Sequence, residues 1–307
     1  MSSVLPARAG ARAGTVTLSA IAGIGVYVPP ATVASAPQPT GTAVLGVSDR
    51  VQGRQGESTP SLAAEAARRA MQSAGVRSDE IDLVVVSTTS PDVLWPSTAC
   101  LVQTELGLPM VGSFDLYAAE AGVLMALGVA DQYVRSGSRG ALVIGAETDK
   151  QLVEPAGPPR AHGRAASAVV LRPAGDGELL SCVLGGAAAG DTASRDRALL
   201  LGLSGAVDQA LLQAAVPLSA IDLVIGEQTA PEVMRVWARS RQLPLDRLLL
   251  DPDRYRGAFA AAPFVALHDA VASGRLRPGR LALLLSCGQG PAWGVACLRW
   301  GSVAVPA

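Results

Sequence analysis

The residue of this chain whose type and place most suggest chemistry is Glu120. It lies in F-D-L-Y-A-A-E-A-G-V-L-M-A-L-G-V-A-D-Q-Y-V-R-S-G, Phe114 to Gly137. From Ala118 to Val134 the string is apolar nearly all round, broken by Glu120 near its start and Asp131-Gln132 near its end. A helix apolar on every side belongs inside a sizeable core, so the sequence predicts a buried helix with a carboxylate in its first turn. The unpaired N–H groups and the positive dipole end of such a turn suit an anion. A carboxylate there can act as a general acid or base, or it can merely occupy the place.

The other reactive residue types are sparse. Cys100, Cys182, Cys287 and Cys297 are widely spaced within apolar sequence and fit neither a metal nor a disulfide pattern. They read as buried free thiols in a reducing, cytoplasmic setting. With two histidines and no Cys/His cluster, neither a metal nor a cofactor is implied. The 307 residues are 49% hydrophobic and 17% charged, with a formal net charge of -1. That charge gives no footprint for nucleic acid or an anionic membrane. No apolar run reaches the roughly 18 residues needed to span a bilayer. Residues 1–17 lack the apolar segment of a signal peptide and read as a flexible leader.

The elements that must position Glu120 alternate between buried strands and helices. Val16 to Val28 reads as a strand closed by Pro29-Pro30, and residues 31–57 as loop. Thr59-Pro60 opens a helix that runs to Gly75. Ile81 to Thr88 is a β-branched run typical of a strand buried on both faces. Pro96 opens a second helix, and Ala141 to Ala146 is the next buried strand. Residues 151–164 are loop, and Ala165 to Leu171 and Asp176 to Ala188 are extended.

The later part of the chain repeats the earlier. Residues 70–91 match 210–231 without a gap, so Ile81-Asp82-Leu83-Val84 falls on Ile221-Asp222-Leu223-Val224 and Thr89 on Thr229. Ser136-Gly137 ahead of one buried strand corresponds to Ser273-Gly274 ahead of Leu281 to Leu285. Two copies of a β/α unit argue for one pseudo-symmetric α/β body with helices between and outside its sheets.

This order of segments resembles the thiolase fold, and within it the ketoacyl-ACP synthase III family of condensing enzymes. The resemblance is carried by S-P-D-V-L-W-P-S-T-A-C-L-V-Q at 90–103, F-D-L-Y-A-A-E-A-G at 114–122, V-A-D-Q-Y-V-R-S-G-S-R-G-A-L-V-I-G-A-E at 129–147, and S-G-R-L-R-P-G-R-L-A-L-L-L-S-C-G-Q-G-P-A-W-G-V-A-C-L-R-W at 273–300. It implies a layered α-β-α-β-α body of two thiolase-like halves, 18–175 and 176–307.

The family places its nucleophilic cysteine in A-A-C-S-G, where the helix N-terminus favours a thiolate. The matching string here is Ala118-Ala119-Glu120-Ala121-Gly122. The family's histidine string H-Q-A-N reads Glu227-Gln228-Thr229-Ala230, and its Y-G-N-T-S-A-A-S reads Tyr255-Arg256-Gly257-Ala258-Phe259-Ala260-Ala261-Ala262. By this resemblance cysteine, histidine and asparagine are replaced by Glu120, Glu227 and Gly257. An acyl-glutamate would be a mixed anhydride, and Gly257 has no side-chain donor for an enolate oxygen. The family's tryptophan for the CoA adenine also has no counterpart, although an acyl carrier protein could still dock.

Other positions keep the family's pattern. Trp95 stands where the family places an aromatic that crosses the dimer interface into the partner's acyl pocket. Gly288 and Gly290 retain part of the oxyanion-hole loop, and His162 matches a pocket-lining position. The family pairs its subunits through the strand after the buried helix, which here is Ala141 to Ala146.

Three readings follow from the resemblance. The chain is a non-condensing partner subunit, homo- or heterodimeric, that shapes the acyl pocket of a triad-bearing paralogue in polyketide or fatty-acid-type biosynthesis. Alternatively, Glu120 with Glu227 and His162 performs acid/base chemistry on a carrier-bound acyl or β-keto thioester, since two acids in one apolar pocket push one pKa upward. Alternatively, the chain is a carrier-protein binding scaffold in which both acids are tolerated replacements, paired with Arg164 or Arg256.

Overall fold

The computed structural model describes residues 18–29, 57–148, 163–188, 192–288 and 292–305. The first half runs β1 (Ser19–Tyr27), α1 (Thr59–Ala74), β2 (Leu83–Ser87), α2 (Thr98–Leu106), β3 (Gly112–Leu116), α3 (Gly122–Arg135), β4 (Ala141–Glu147) and β5 (Ala165–Pro173). The second runs β6 (Glu178–Gly186), α4 (Thr192–Ala214), β7 (Leu223–Ile225), α5 (Pro231–Ser240), β8 (Leu248–Leu249), α6 (Pro252–Tyr255), α7 (Ala262–Ala272), β9 (Leu281–Cys287) and β10 (Ala292–Arg299). Except for the short α6, the two halves list the same elements in the same order.

Their sheets repeat too, with strand orders β1-β5-β4-β2-β3 and β6-β10-β9-β7-β8. The parallel pairs β2–β4 and β7–β9 form the middle of each sheet, and antiparallel β5 and β10 lead outward to β1 and β6. Side chains of alternate strand residues fall into different cores. Leu83 and Val85 of β2 join α3 and α7 in a central cluster, whereas Val84 and Val86 face α1 and α2 outside. A third cluster packs α4 and α5 on the other outer face. The layers are therefore helices, sheet, helices, sheet, helices, as the sequence predicts for a thiolase-like body.

Local chemistry explains the boundaries. Ser58 caps α1 by accepting from Ser61 N–H at 3.2 Å, and Gly75 ends it in the left-handed conformation, φ 63°. The second helix begins at Thr98 rather than at Pro96, because Ser97 is its cap and Asp115 of β3 accepts from the N–H groups of Thr98 and Ala99, each at 2.7 Å.

Two expectations are corrected. The helix after Glu120 is not buried on every side: Val129 and Tyr133, one turn apart, are 37% and 43% exposed. That face lies beside β3, where Tyr133 approaches Gly112, so its apolar residues look out at the sheet's open edge. Nor can Ala141 to Ala146 pair across a two-fold axis, because β4 is already bonded on both sides, to β2 and β5. Among the described residues the edge strands of that sheet are β1 and β3, and β3 is the one before the helix. Sequence apolarity marked β4 as buried but could not say that its neighbours would be its own chain.

Candidate active site

The connection from β3 to α3 is made by a 3-10 turn, Ala119–Ala121, entered through Ala119 at φ 47°. A positive φ at a residue with a Cβ is strained and persists where surrounding structure imposes it. Here the turn lifts Glu120 to the junction of the two sheets, where it is 2% exposed. Ser286 Oγ of β9 donates to the Glu120 carbonyl oxygen at 2.6 Å. The Glu120 carboxylate reaches Gly288, and a Cβ on Gly288 would sit 2.2 Å from Glu120 Oε2. Only glycine leaves room for that close approach.

Glu227 follows β7 and comes to the same junction, 3% exposed. Thr229 donates to Glu227 Oε1 through both its N–H, at 2.9 Å, and its hydroxyl, at 3.0 Å. Glu227 Oε2 lies 2.8 Å from Ser286 Oγ and accepts from Cys287 N–H at 3.3 Å. Burial first, and the nearby Glu120 second, push the Glu227 carboxyl up to about 7. Ser286 has one proton for two oxygens. With Glu227 protonated the hydrogen bonds are all satisfied: Glu227 donates to Ser286 Oγ, and Ser286 donates to the Glu120 carbonyl. The hydroxyl thus ties the Glu227 carboxyl to the main chain at Glu120, and the two carboxyls influence each other through proximity within one buried junction.

A third buried acid, Glu147, was not singled out by sequence reasoning. It ends β4, fully buried, and accepts from Thr89 N–H at 3.0 Å, Thr89 Oγ1 at 2.8 Å and Ser90 Oγ at 2.8 Å. Burial pushes it, too, up to about 7. The signal was an acid closing an otherwise apolar strand, A-L-V-I-G-A-E. Ser286 was equally missed, since a serine in a strand end announces nothing until its partners are in place.

The remaining sequence-derived positions separate. Gly257 is buried, its carbonyl accepting from Gly163 N–H at 2.9 Å. His162 and Gly290 lie outside the described residues. Trp95 is 86% exposed on the loop after β2, with Val93 and Leu94 beside it, so it is not part of this chain's own buried junction. Arg164 reaches Glu57 at 3.4 Å. Among the described residues there is no cluster of three or more His, Cys, Asp or Glu able to hold a metal ion. No helix among them is long and apolar enough to cross a membrane.

Comparison with known proteins fixes the lineage. The model of the 3-oxoacyl-[acyl-carrier-protein] synthase III family matches residues 114–188, and that of its C-terminal part matches residues 211–300. A beta-ketoacyl-[acyl-carrier-protein] synthase III of Xanthomonas campestris pv. campestris is 34% identical over 284 residues, covering 83% of this chain and 87% of the relative. The chain belongs to the 3-oxoacyl-[acyl-carrier-protein] synthase III family. The crystal structure of the Aquifex aeolicus 3-oxoacyl-[acyl-carrier-protein] synthase III superposes with a TM-score of 0.78 at 26% identity, over 92% of this chain and all of that one (100%). The priming β-ketosynthase of the R1128 polyketide pathway shares the fold, with a TM-score of 0.77 at 22% identity over 96% of this chain and 100% of its own. Synthase III members therefore surround the chain on both sequence and fold, and the thiolase-like architecture is theirs.

Proposed function

We propose that this chain is a non-condensing subunit of the synthase III type, working beside a triad-bearing paralogue whose acyl pocket it helps to shape. The observation that carries the reading is the Glu120 turn. By the resemblance, that turn is where the family presents its thiol. Here it presents a carboxylate packed against Gly288, with a second acid, Glu227, clamped by Thr229, Ser286 and Cys287. A carboxylate so placed forms no thioester, and Gly257 supplies no donor for an enolate.

The surface supports pairing. The edge strand β3 has no neighbour on its outer side among the described residues, and Met110, Phe114, Tyr117 and Tyr133 nearby are 98%, 39%, 56% and 43% exposed. An open edge flanked by large apolar groups calls for a partner. Trp95, 86% exposed, is free to enter a partner's pocket. An acyl carrier protein, named in the relatives' activity, would bring the substrate to the pair.

Co-expression with a triad-complete paralogue tests this. The expected result is a 1:1 heterodimer whose product chain length changes on Trp95→Ala in this subunit and is unchanged by Glu120→Gln. A stable homodimer that ignores the paralogue overturns it. A second reading rests on the two buried carboxyls at one junction, with Glu227 pushed up to about 7 by burial and by Glu120, which suits acid/base chemistry on a carrier-bound β-keto chain. Glu120→Gln distinguishes the two, since loss of product without loss of folding supports the second.

A further inference from the structure

A cleft lies at the far end of β7 and β9 from Glu227. Glu227 follows the C-terminal end of β7, whereas Asp222 and Leu223 at its start, and Arg280 just before β9, line this cleft of about 370 Å³. Arg247, Arg275 and Arg277 complete its basic wall. Four arginines face it against two aspartates, Asp222 and Asp246, a net of two positive charges.

These guanidinium groups are held in place. Arg247 Nη1 donates to the carbonyls of Ser219 and Ile221 at 2.9 and 3.1 Å, and Arg275 Nη2 donates to the Asp246 carbonyl at 2.8 Å. Arg277 Nε donates to the Gly274 carbonyl at 2.9 Å, and Arg280 pairs with Asp222. Three of the four anchors are neutral carbonyls, which fix a guanidinium without cancelling its charge. Each bond set uses one edge of the planar fork and leaves most of its N–H donors for another acceptor.

The pseudo-symmetric end of the first half is the internal control. In the gapless repeat, Asp79, Glu80 and Asp82 correspond to Ser219, Ala220 and Asp222. There Arg77 pairs with Asp79 and Glu80, Arg172 with Glu80, and Arg139 with Asp82. Three arginines meet three acids and the charge closes. At the second half's end two of those acids are gone while arginines have accumulated, so the fold does not itself require the excess.

We propose that this cleft is a binding site for a small, multiply charged oxyanion of the diphosphate type, distinct from the acyl junction. Its volume sits at the low end of small-ligand sites, which suits a diphosphate group and is too confined for a protein segment. Bidentate guanidinium donors match phosphate oxygens. The test is titration calorimetry of the full-length chain with inorganic pyrophosphate in about 0.15 M salt, where nonspecific attraction to exposed charge is screened. The expected result is saturable one-to-one binding with a Kd of about 1 mM or tighter.

Arg275→Ala combined with Arg277→Ala removes two exposed side chains anchored only to carbonyls. It should weaken binding at least about tenfold, the loss of one charged hydrogen bond or more, with an unchanged melting temperature. Arg139→Ala at the opposite half should leave binding intact. Absence of saturable binding, survival of binding in the double variant, or equal loss in Arg139→Ala overturns the proposal. ADP in place of pyrophosphate identifies the source: equal or tighter binding points to a nucleotide-borne diphosphate, weaker binding to the free anion.

Discussion

The two halves of this molecule solve the same packing problem and leave different chemistry behind. Each sends a strained turn into the opposite sheet. In the first half the turn is entered by Ala119 at φ 47°, and Glu120 meets the end of β9 at Ser286 and Gly288. In the second it passes through Phe259 at φ 38°, and Ala260 meets the end of β4, where a Cβ on Gly145 would lie 2.2 Å from the Ala260 carbonyl. Each half also clamps a buried acid with the N–H and hydroxyl of a repeated threonine, Thr89 on Glu147 and Thr229 on Glu227. The acids, however, sit on different strands. Glu147 ends β4, while Glu227 follows β7 where the first half has Ser87. At the Glu120 junction two buried carboxyls come close enough for one to raise the other's pKa. The shared frame is structural, and it becomes a candidate for chemistry where a second acid is added to it.

The sharpest way to break that contrast is to remove the lone acid. Glu147→Ala takes the acceptor from Thr89 N–H, Thr89 Oγ1 and Ser90 Oγ inside the protein. It should destabilise by about 3 kcal/mol or more, read as a lower denaturant midpoint. A smaller loss would mean that the first-half acid is dispensable to the frame.

A comparable effect is expected from pH. Glu147 and Glu227 both titrate near 7 when folded, well above the 4.5 of an exposed glutamate. Between those values the folded chain binds more protons than the unfolded one, so the contribution of each group to stability falls as pH rises from 4.5 to about 7 and then levels off. The shift corresponds to on the order of 3 kcal/mol for each acid. Denaturant curves at pH 5 and pH 8 should show the decline, and Glu227→Gln should flatten its part of it. If Glu227→Gln leaves the pH dependence untouched, the two-acid junction does not titrate as described.

The smallest effect comes from the glycine that faces Glu120. Gly288→Ala forces the Glu120 carboxylate aside and should destabilise by about 1–3 kcal/mol, with the penalty relieved in Glu120→Ala. Additivity of the two substitutions would show that the close approach is not felt.

Much of this was legible in the residues. The β-branched run marked β2, the apolar runs marked β4 and β9, and the Ile-Asp-Leu-Val repeat disclosed the pseudo-symmetry. Thr89 and Thr229 were matched in the repeat, but matching says nothing of what each threonine bonds, because its acceptor is 58 residues away in one half and two in the other. The Glu120 turn read as a continuous helix because propensity cannot anticipate a positive φ at alanine, which tertiary contact imposes. The edge position of β3 escaped for a related reason. Its pattern G-S-F-D-L is no more apolar than a loop, and strand order is decided by pairing partners remote in sequence.

The open edge at β3 also ties the chain's fate to its surroundings. A partner that completes that strand binds only the folded form, so it draws the folding equilibrium forward in proportion to its concentration. Diluted or made in excess, the chain keeps a template for unwanted strand addition. Heat resistance measured on the isolated chain is then a floor, which a strand-completing partner would raise.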